Sequence, residues 1–272
     1  MRCIFKTGVI LSIFVSMLIA VSVAPPAVGT DAPATTEVDA ASCPRPDMET
    51  LHYEFGWNGV AAAVAQVRIN SDIHENSPVL RLIADAHTIG VARKLWKMDD
   101  RMEAIVHRET LEPIRVELNR EEAGESYRTK SSFSRETGKA QIIDVRGTRV
   151  KKKEVKFGNA YEPLTLIVLV RCLDFHVGSQ LTFDIVEGYK IYRVVLDVLE
   201  KEEIEVKAGK FEAFRVTPTF YKVKKSGKIR KEDIKAENVS IWVSADSRRH
   251  MLKITSKVFI GSVYGELVKV EK

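Results

Sequence analysis

The sequence has few of the features that mark a catalytic or metal-binding protein. Its six histidines, His52, His74, His87, His107, His176 and His250, are scattered, and none falls into a His-Glu-x-x-His or comparable ligand spacing. No metal site and no cofactor are therefore expected. A Gly-x-Ser-x-Gly elbow and a glycine-rich phosphate loop are both missing, which removes the usual signals of a hydrolase or nucleotide enzyme. There are only three cysteines, and Cys3 belongs to the N-terminal leader described below. Of the other two, Cys172 lies in apolar surroundings, which raise a thiol's pKa and leave it inert as a nucleophile. Charge of one sign is also scarce: 42 basic residues face 37 acidic ones, for a net +5. So small an excess does not argue for nucleic acid. No repeat of fixed period is present, which excludes solenoids and propellers. The carboxylate pairs Asp99-Asp100 and Glu121-Glu122 read as residues of polar turns. These absences point to a protein that is not an enzyme, with an unrecognised hydrolase as the weaker reading.

What is present begins with a leader. Arg2 and Lys6 precede an apolar run from Gly8 to Ala24, followed by small residues and prolines. Residues 1–24 read as a secretory signal peptide; the rival is an uncleaved anchor, since about 17 apolar residues are borderline for spanning a bilayer. Residues 25–47 carry five prolines among Ala, Thr and Asp, a linker composition too poor in apolar residues to bury a core. The ordered part is expected over 48–272 as a single β-rich domain, with 45% hydrophobic residues in the chain as a whole. Export to an oxidising compartment would allow one bridge, Cys43 to Cys172, against the alternative of two free thiols.

Beyond the leader, the most continuous apolar run is Tyr161-Glu-Pro-Leu-Thr-Leu-Ile-Val-Leu-Val-Arg-Cys-Leu-Asp-Phe175. Pro163 suits the first turn of a helix and Glu162 the positive end of its dipole. From Leu164 to Leu173 the apolar residues occupy every side of a helical wheel, so a helix here would be enclosed by sheet. A buried strand is the competing reading, because Ile167, Val168 and Val170 are β-branched. Around this hub the pattern is one strand after another. Leu51–Phe55 alternates, Asn58-Gly59 supplies a hairpin turn, and Val60–Ile69 returns. Val79–Ala86 is a third strand, and Thr88–Trp96 a helical turn capped by Thr88. Turns about every ten residues from Met102 to Val155 mark an up-and-down antiparallel sheet. Further strands are expected at 181–186, 189–199, 203–206, 211–220, 236–243, 251–258 and 262–270. The fold class is thus mainly β: a large antiparallel meander, a curved half-barrel or barrel-like sheet packed around one central helix at about 161–173.

Four pieces in this order resemble the DUF3108 family of bacterial exported proteins. They are Tyr53-Glu-Phe-Gly-Trp-Asn-Gly59; Glu162-Pro-Leu-Thr-Leu-Ile-Val-Leu-Val-Arg171; Ala208-Gly-Lys-Phe-Glu-Ala-Phe214 with Thr217-Pro218; and Ile241-Trp-Val-Ser-Ala-Asp246 through Lys253–Lys257 to Leu267. The chain departs from the family's Asp-x-x-Arg-x-Pro-Val pattern, reading Asp246-Ser-Arg-Arg-His-Met-Leu252 instead, a loss of proline that should leave the fold intact. The resemblance implies an exported antiparallel β protein located in the periplasm or at the cell envelope. By analogy with lipoprotein carriers of the envelope it also implies a curved half-barrel.

The candidate ligand-binding residues are Trp57, Leu166, Leu169, Arg171 and Leu173, which would hold an apolar or lipid-like ligand against the helix. Arg171 is either a structural cation paired with Asp174 or a grip for an acidic headgroup. In the second reading of function the protein is an assembly factor of the envelope, its cleft filled by its own helix, with edge strands that recruit a protein partner. Two basic clusters, 146–156 and 222–231, would either touch an anionic membrane or guard strand edges. Exported material is expected to begin between about Ala24 and Ala34. N-terminal sequencing checks this, and chains retaining Met1 would contradict it.

Overall fold

The computed structural model describes residues 34–36, 38, 44–223, 229–235, 238–258 and 261–272. The leader expected at 1–24 lies outside them, and no helix among the described residues is long and apolar enough to cross a membrane. Among the described residues fifteen strands form one antiparallel sheet. The first eight are β1 (Met48–Trp57), β2 (Val60–His74), β3 (Ser77–Thr88), β4 (Met98–His107), β5 (Pro113–Glu122), β6 (Glu125–Ser134), β7 (Lys139–Arg146) and β8 (Arg149–Lys156). The rest are β9 (Gln180–Glu187), β10 (Lys190–Val206), β11 (Gly209–Val223), β12 (Ile229–Lys235), β13 (Val239–Ser244), β14 (Met251–Lys257) and β15 (Ser262–Glu271). The spatial order runs β8 to β1 without interruption, then β15, β14, β13, β11, β10, β9, with β12 paired to β11 alone. The two outermost strands of this path, β8 and β9, are neighbours in sequence. The chain therefore lays down one half of the sheet outward from β1 and returns to build the other half from the opposite side.

Local chemistry accounts for the hairpins and the curvature. Asn58 and Gly59 both take positive φ, +48° and +80°, as a two-residue hairpin turn of this kind demands. Opposite Phe55 and Tyr53, β2 places Ala63 and Ala65, and beyond them β3 places Ala86. These small residues leave room for the large rings on the concave face. At the seam between β1 and β15 the fit is reciprocal: Phe55 pairs with Gly265, and Gly56 with Tyr264. A Cβ on Gly265 would stand 2.5 Å from the Phe55 ring. Two expected strands, 189–199 and 203–206, prove to be one. β10 runs unbroken for 17 residues and absorbs the polar stretch through a bulge between Val198 and Glu200.

The hub is helical but irregular: a 3₁₀ turn at Pro163–Thr165, an α-helix at Leu166–Leu169 and a 3₁₀ turn at Val170–Cys172. Glu162 is its N-cap, accepting the backbone N–H of Leu164 at 2.9 Å and of Thr165 at 2.5 Å, with Pro163 following it. Val168, Leu169 and Leu173 lie in one continuous core with residues from both halves of the sheet, and Leu166, half-buried, packs against it. The segment thus fills the concavity. Thr88 does not cap the short helix α1 (Gly90–Leu95), whose N-cap is Ile89. Its hydroxyl instead donates to Trp96 O at 3.0 Å and accepts from Met98 N at 3.1 Å, closing the loop into β4.

A second, smaller cluster explains why the sheet does not close edge to edge. Leu181, Phe183 and Ile185 of β9 face the main core, so by alternation Val186 faces the other way. There it meets Ala140, Ile142, Phe157 and Ala160, with Tyr189 and Ile191 of the β9–β10 hairpin beside it. The far end of the sheet laps over this hairpin. Leu169, with no exposed surface, tests the packing of the plug. Leu169→Asp would bury an unpaired carboxylate and is expected to cost upwards of about 4 kcal/mol, unfolding the domain in a thermal melt.

Candidate functional site

One cluster of buried ionisable side chains joins three distant parts of the chain. Glu49 stands at the start of β1 on the face that pairs with Ile69, Arg171 ends the helical segment, and His250 precedes β14. The Glu49 carboxylate receives the Arg171 guanidinium on one oxygen and His250 Nε2 on the other, the latter at 2.8 Å. All three side chains are almost wholly enclosed, at 5%, 2% and 1% exposure. Burial pushes the Glu49 carboxyl up, but the hydrogen bond from His250 and the charge of Arg171 outweigh it and hold the group below the ordinary range. Tyr53, pushed up by burial, donates its hydroxyl to Met251 O at 3.1 Å beside them.

This arrangement corrects one expectation and weakens another. Arg171 is not paired with Asp174, which bonds His176 at 2.7 Å in solvent. Helical spacing made Asp174 the nearest acid in sequence, but the segment ends in a 3₁₀ turn and Arg171 points inward. Its guanidinium is taken by Glu49, so the geometry leaves no exposed cation there to grip a headgroup. Trp57 lies at the far end of β1 from Glu49, roughly 25 Å along the strand, and is 48% exposed. The structure brings Leu166, Leu169, Arg171 and Leu173 together and leaves Trp57 apart. Cys172 is disulfide-bonded; Cys43, the partner expected from the sequence, lies outside the described residues.

The turn that departs from the family pattern has its own lock. Ser244 Oγ accepts from His250 N at 2.8 Å and donates to Asp246 at 2.7 Å. Arg249, at φ +47°, donates to the carbonyls of Ser244 and Ala245. Its guanidinium lies 5.4 and 5.3 Å from the rings of Phe175 and Phe214, which stack on each other. Sequence reasoning passed over Arg249 and Glu49. The turn signal around Asp246 was visible, but nothing local ties Glu49 to residues 122 and 201 positions away.

Two further regions carry polar chemistry. A cavity of about 540 Å³ opens at the turn ends of β2 to β8, lined by His74, His107, Glu112 and Arg135 together with Phe133 and Phe157. The two phenyl rings meet edge to face at 5.2 Å. Elsewhere Asp100 and Glu122, expected in polar turns, are strand residues with buried side chains on the concave face. Burial, then the nearby Glu122 charge, pushes the Asp100 carboxyl from 3.8 up to about 7. The Arg120 charge and the Glu121 backbone N–H oppose the rise, and neither Asp100 carboxylate oxygen has a well-formed hydrogen bond among the described residues. Among the described residues no cluster of His, Cys, Asp and Glu is arranged to hold a metal.

A concave antiparallel sheet that does not close edge to edge, plugged by its own helical segment, defines a barrel-like β protein. A solved structure of the same outline is the beta-barrel-like protein of domain of unknown function DUF1849 from Brucella abortus. It is 10% identical over 84% of this chain and 98% of that one, with a TM-score of 0.50. More distant are a protein described as exported, with a YmcC-like fold, from Bacteroides fragilis, and a lipoprotein from Parabacteroides distasonis. The first is 8% identical over 85% of this chain and 98% of that one, with a TM-score of 0.36; the second 9% over 86% and 99%, with 0.33. None of the curated proteins matches. The chain belongs to the family described as protein of unknown function (DUF3108), which matches residues 51–268.

The buried acids give a pH dependence of definite sign. Asp100 and Glu162 are both raised to about 7 by burial, Glu162 against the opposing bonds from Thr165 and Leu164. A group with a raised folded pKa contributes stability that is present below its unfolded value and lost as pH rises through the folded one. Glu49, held low, loses its contribution as pH falls from the ordinary carboxylate value of 4.5 through its lowered folded one. The melting temperature is therefore expected to fall between about pH 4 and pH 7, Asp100 accounting for at most about 4 kcal/mol. Asp100→Asn should flatten that slope in a pH series of thermal melts. An unchanged slope would contradict the assignment.

Proposed function

We propose that this protein is an exported, non-catalytic module of the cell envelope that recruits a protein partner at an open edge of its sheet. Export rests on the leader at residues 1–24. The observation that carries the rest is an asymmetry between the two outer strands. The β9 edge is covered by the chain itself: Tyr161 N–H donates to Asp184 O, Val186 N–H to Tyr161 O, and Thr36 N–H to Thr182 O, at 2.8, 2.8 and 2.7 Å. No described residue pairs with β8 on the side away from β7. Meanwhile the concavity, where an apolar ligand would lie against the hub, is occupied by Val168, Leu169 and Leu173. A free edge beside a filled interior supports recruitment by strand addition over ligand carriage.

The carrier reading keeps one observation in its favour, the cavity of about 540 Å³ beside Phe133 and Phe157. Native mass spectrometry of protein isolated from its own envelope without detergent separates the two readings. The expected spectrum shows the bare mature chain, or that chain with a protein partner. A stoichiometric lipid, lost on Phe133→Asp, would overturn the proposal in favour of carriage through that cavity.

A further inference from the structure

From the chemistry of this edge we infer that the partner of β8 is an extended segment with acidic residues at alternate positions. The inference rests on the strand-addition reading above and adds the sequence class that the edge would select. β8 pairs with β7 through eight residues in unbroken register, from Lys139↔Lys156 to Arg146↔Arg149, around a two-residue turn with Gly147 at φ +55°. It contains no proline and no bulge, the devices that otherwise disqualify an edge from pairing. Its backbone polarity can be assigned. Phe157 N–H donates to Gly138 O at 3.0 Å, so odd-numbered residues turn their amides toward β7. The amides of Val150, Lys152, Glu154 and Lys156 then point to the open side.

The side chains sort by the same alternation. Arg149, Lys151 and Lys153 share one face with Val155, and all three cations are exposed. Lys151 and Lys153 lie 5.2 and 4.4 Å from the Tyr189 ring, which confirms that they face the same way. No ion pair engages Arg149, Lys151 or Lys153 among the described residues. The acid across from Lys151 is Asp144, and it is already committed, accepting the hydroxyls of Thr129 at 2.7 Å and Tyr189 at 2.5 Å. On the opposite face Glu154 interrupts the positive charge and pairs with Lys139 at 2.8 Å. One face thus presents three cations that no carboxylate among the described residues neutralises, spaced at the two-residue period of a strand. An added strand meets them with every second side chain, so it gains most when those side chains are Glu or Asp, with an apolar residue opposite Val155.

The alternatives are that these lysines only prevent edge-to-edge association, or that they rest on an anionic membrane. The test uses the mature full-length protein and a synthetic peptide, Val-Thr-Glu-Thr-Glu-Thr-Glu, with a control in which each Glu is Gln. Hydrogen exchange read by NMR should show protection of the Val150, Lys152, Glu154 and Lys156 amides on adding the acidic peptide. Affinity should exceed that of the Gln control about tenfold at low salt, from three favourable cross-strand pairs. Lys152→Pro removes one edge-facing amide and should abolish the protection. Should that variant fail to fold, the acidic peptide N-methylated at alternate amides removes the same ladder from the other partner. Equal protection by both peptides would overturn the acidic preference while leaving strand addition standing. Absence of protection by either peptide would overturn both. Cosedimentation with phosphatidylglycerol vesicles, unaffected by Lys152→Pro and without peptide protection, would assign the cations to a membrane surface and also overturn the inference.

Discussion

The contact on which the rest depends is the meeting of Glu49 with Arg171 and His250. An arginine enclosed to 2% exposure is tolerable only with a carboxylate against it. That carboxylate sits on the strand at the middle of the sheet. The pair therefore orients the end of the helical segment inward, and the histidine ties the turn before β14 to the same oxygen pair. Exchanging such a cluster for apolar residues need not lower stability; its use lies in specifying one arrangement among several of similar burial. Here the arrangement specified is a plug pressed against both halves of the sheet.

Once the plug is set, the two sheet edges acquire different fates. The chain leaves β8 and passes through Phe157 and Ala160 under the lapping end of the sheet. It then lays Tyr161 against β9 before entering the segment that Glu162 caps. One connection therefore does three things: it packs the seam, seals one edge and starts the plug. The other edge is left outside this path. Its lysines fit the general need to discourage unwanted pairing, and their regular spacing on one face is the feature that invites a more selective reading.

Much of this could be read from the residues alone. The Asn58-Gly59 turn, the alternating runs and the enclosed hub all follow from short-range pattern, and the antiparallel barrel-like class with them. What escaped was set by distance in sequence. Asp100 and Glu122 looked like turn residues because their neighbours Asp99 and Glu121 are also acidic. Only the pairing of β4 with β5 shows that one acid of each doublet faces inward. Glu49 lies in an exposed-looking Asp-Met-Glu-Thr run, and no local rule could assign it to Arg171. The expected pair with Asp174 failed for a related reason, since a helix that tightens to 3₁₀ at its end rotates its last side chains away from the positions an α-helix would give them.

The placement of β1 between β2 and β15 also governs the order in which the sheet can be assembled. Strands β1 to β8 can zip together as successive hairpins, each closing a short loop. β1's second partner, by contrast, arrives only with the last strand, pairing Thr50 with Glu271 across almost the whole chain. Glu49 likewise waits for both its cation and its histidine. Until then the half-built sheet carries an unsatisfied charge and an unpaired central strand, a state of high contact order and slow completion. A chain threaded across a membrane from its N-terminus would have to hold this state until translocation ends. The vulnerable interval of its life is thus fixed by strand order rather than by the stability of the finished fold.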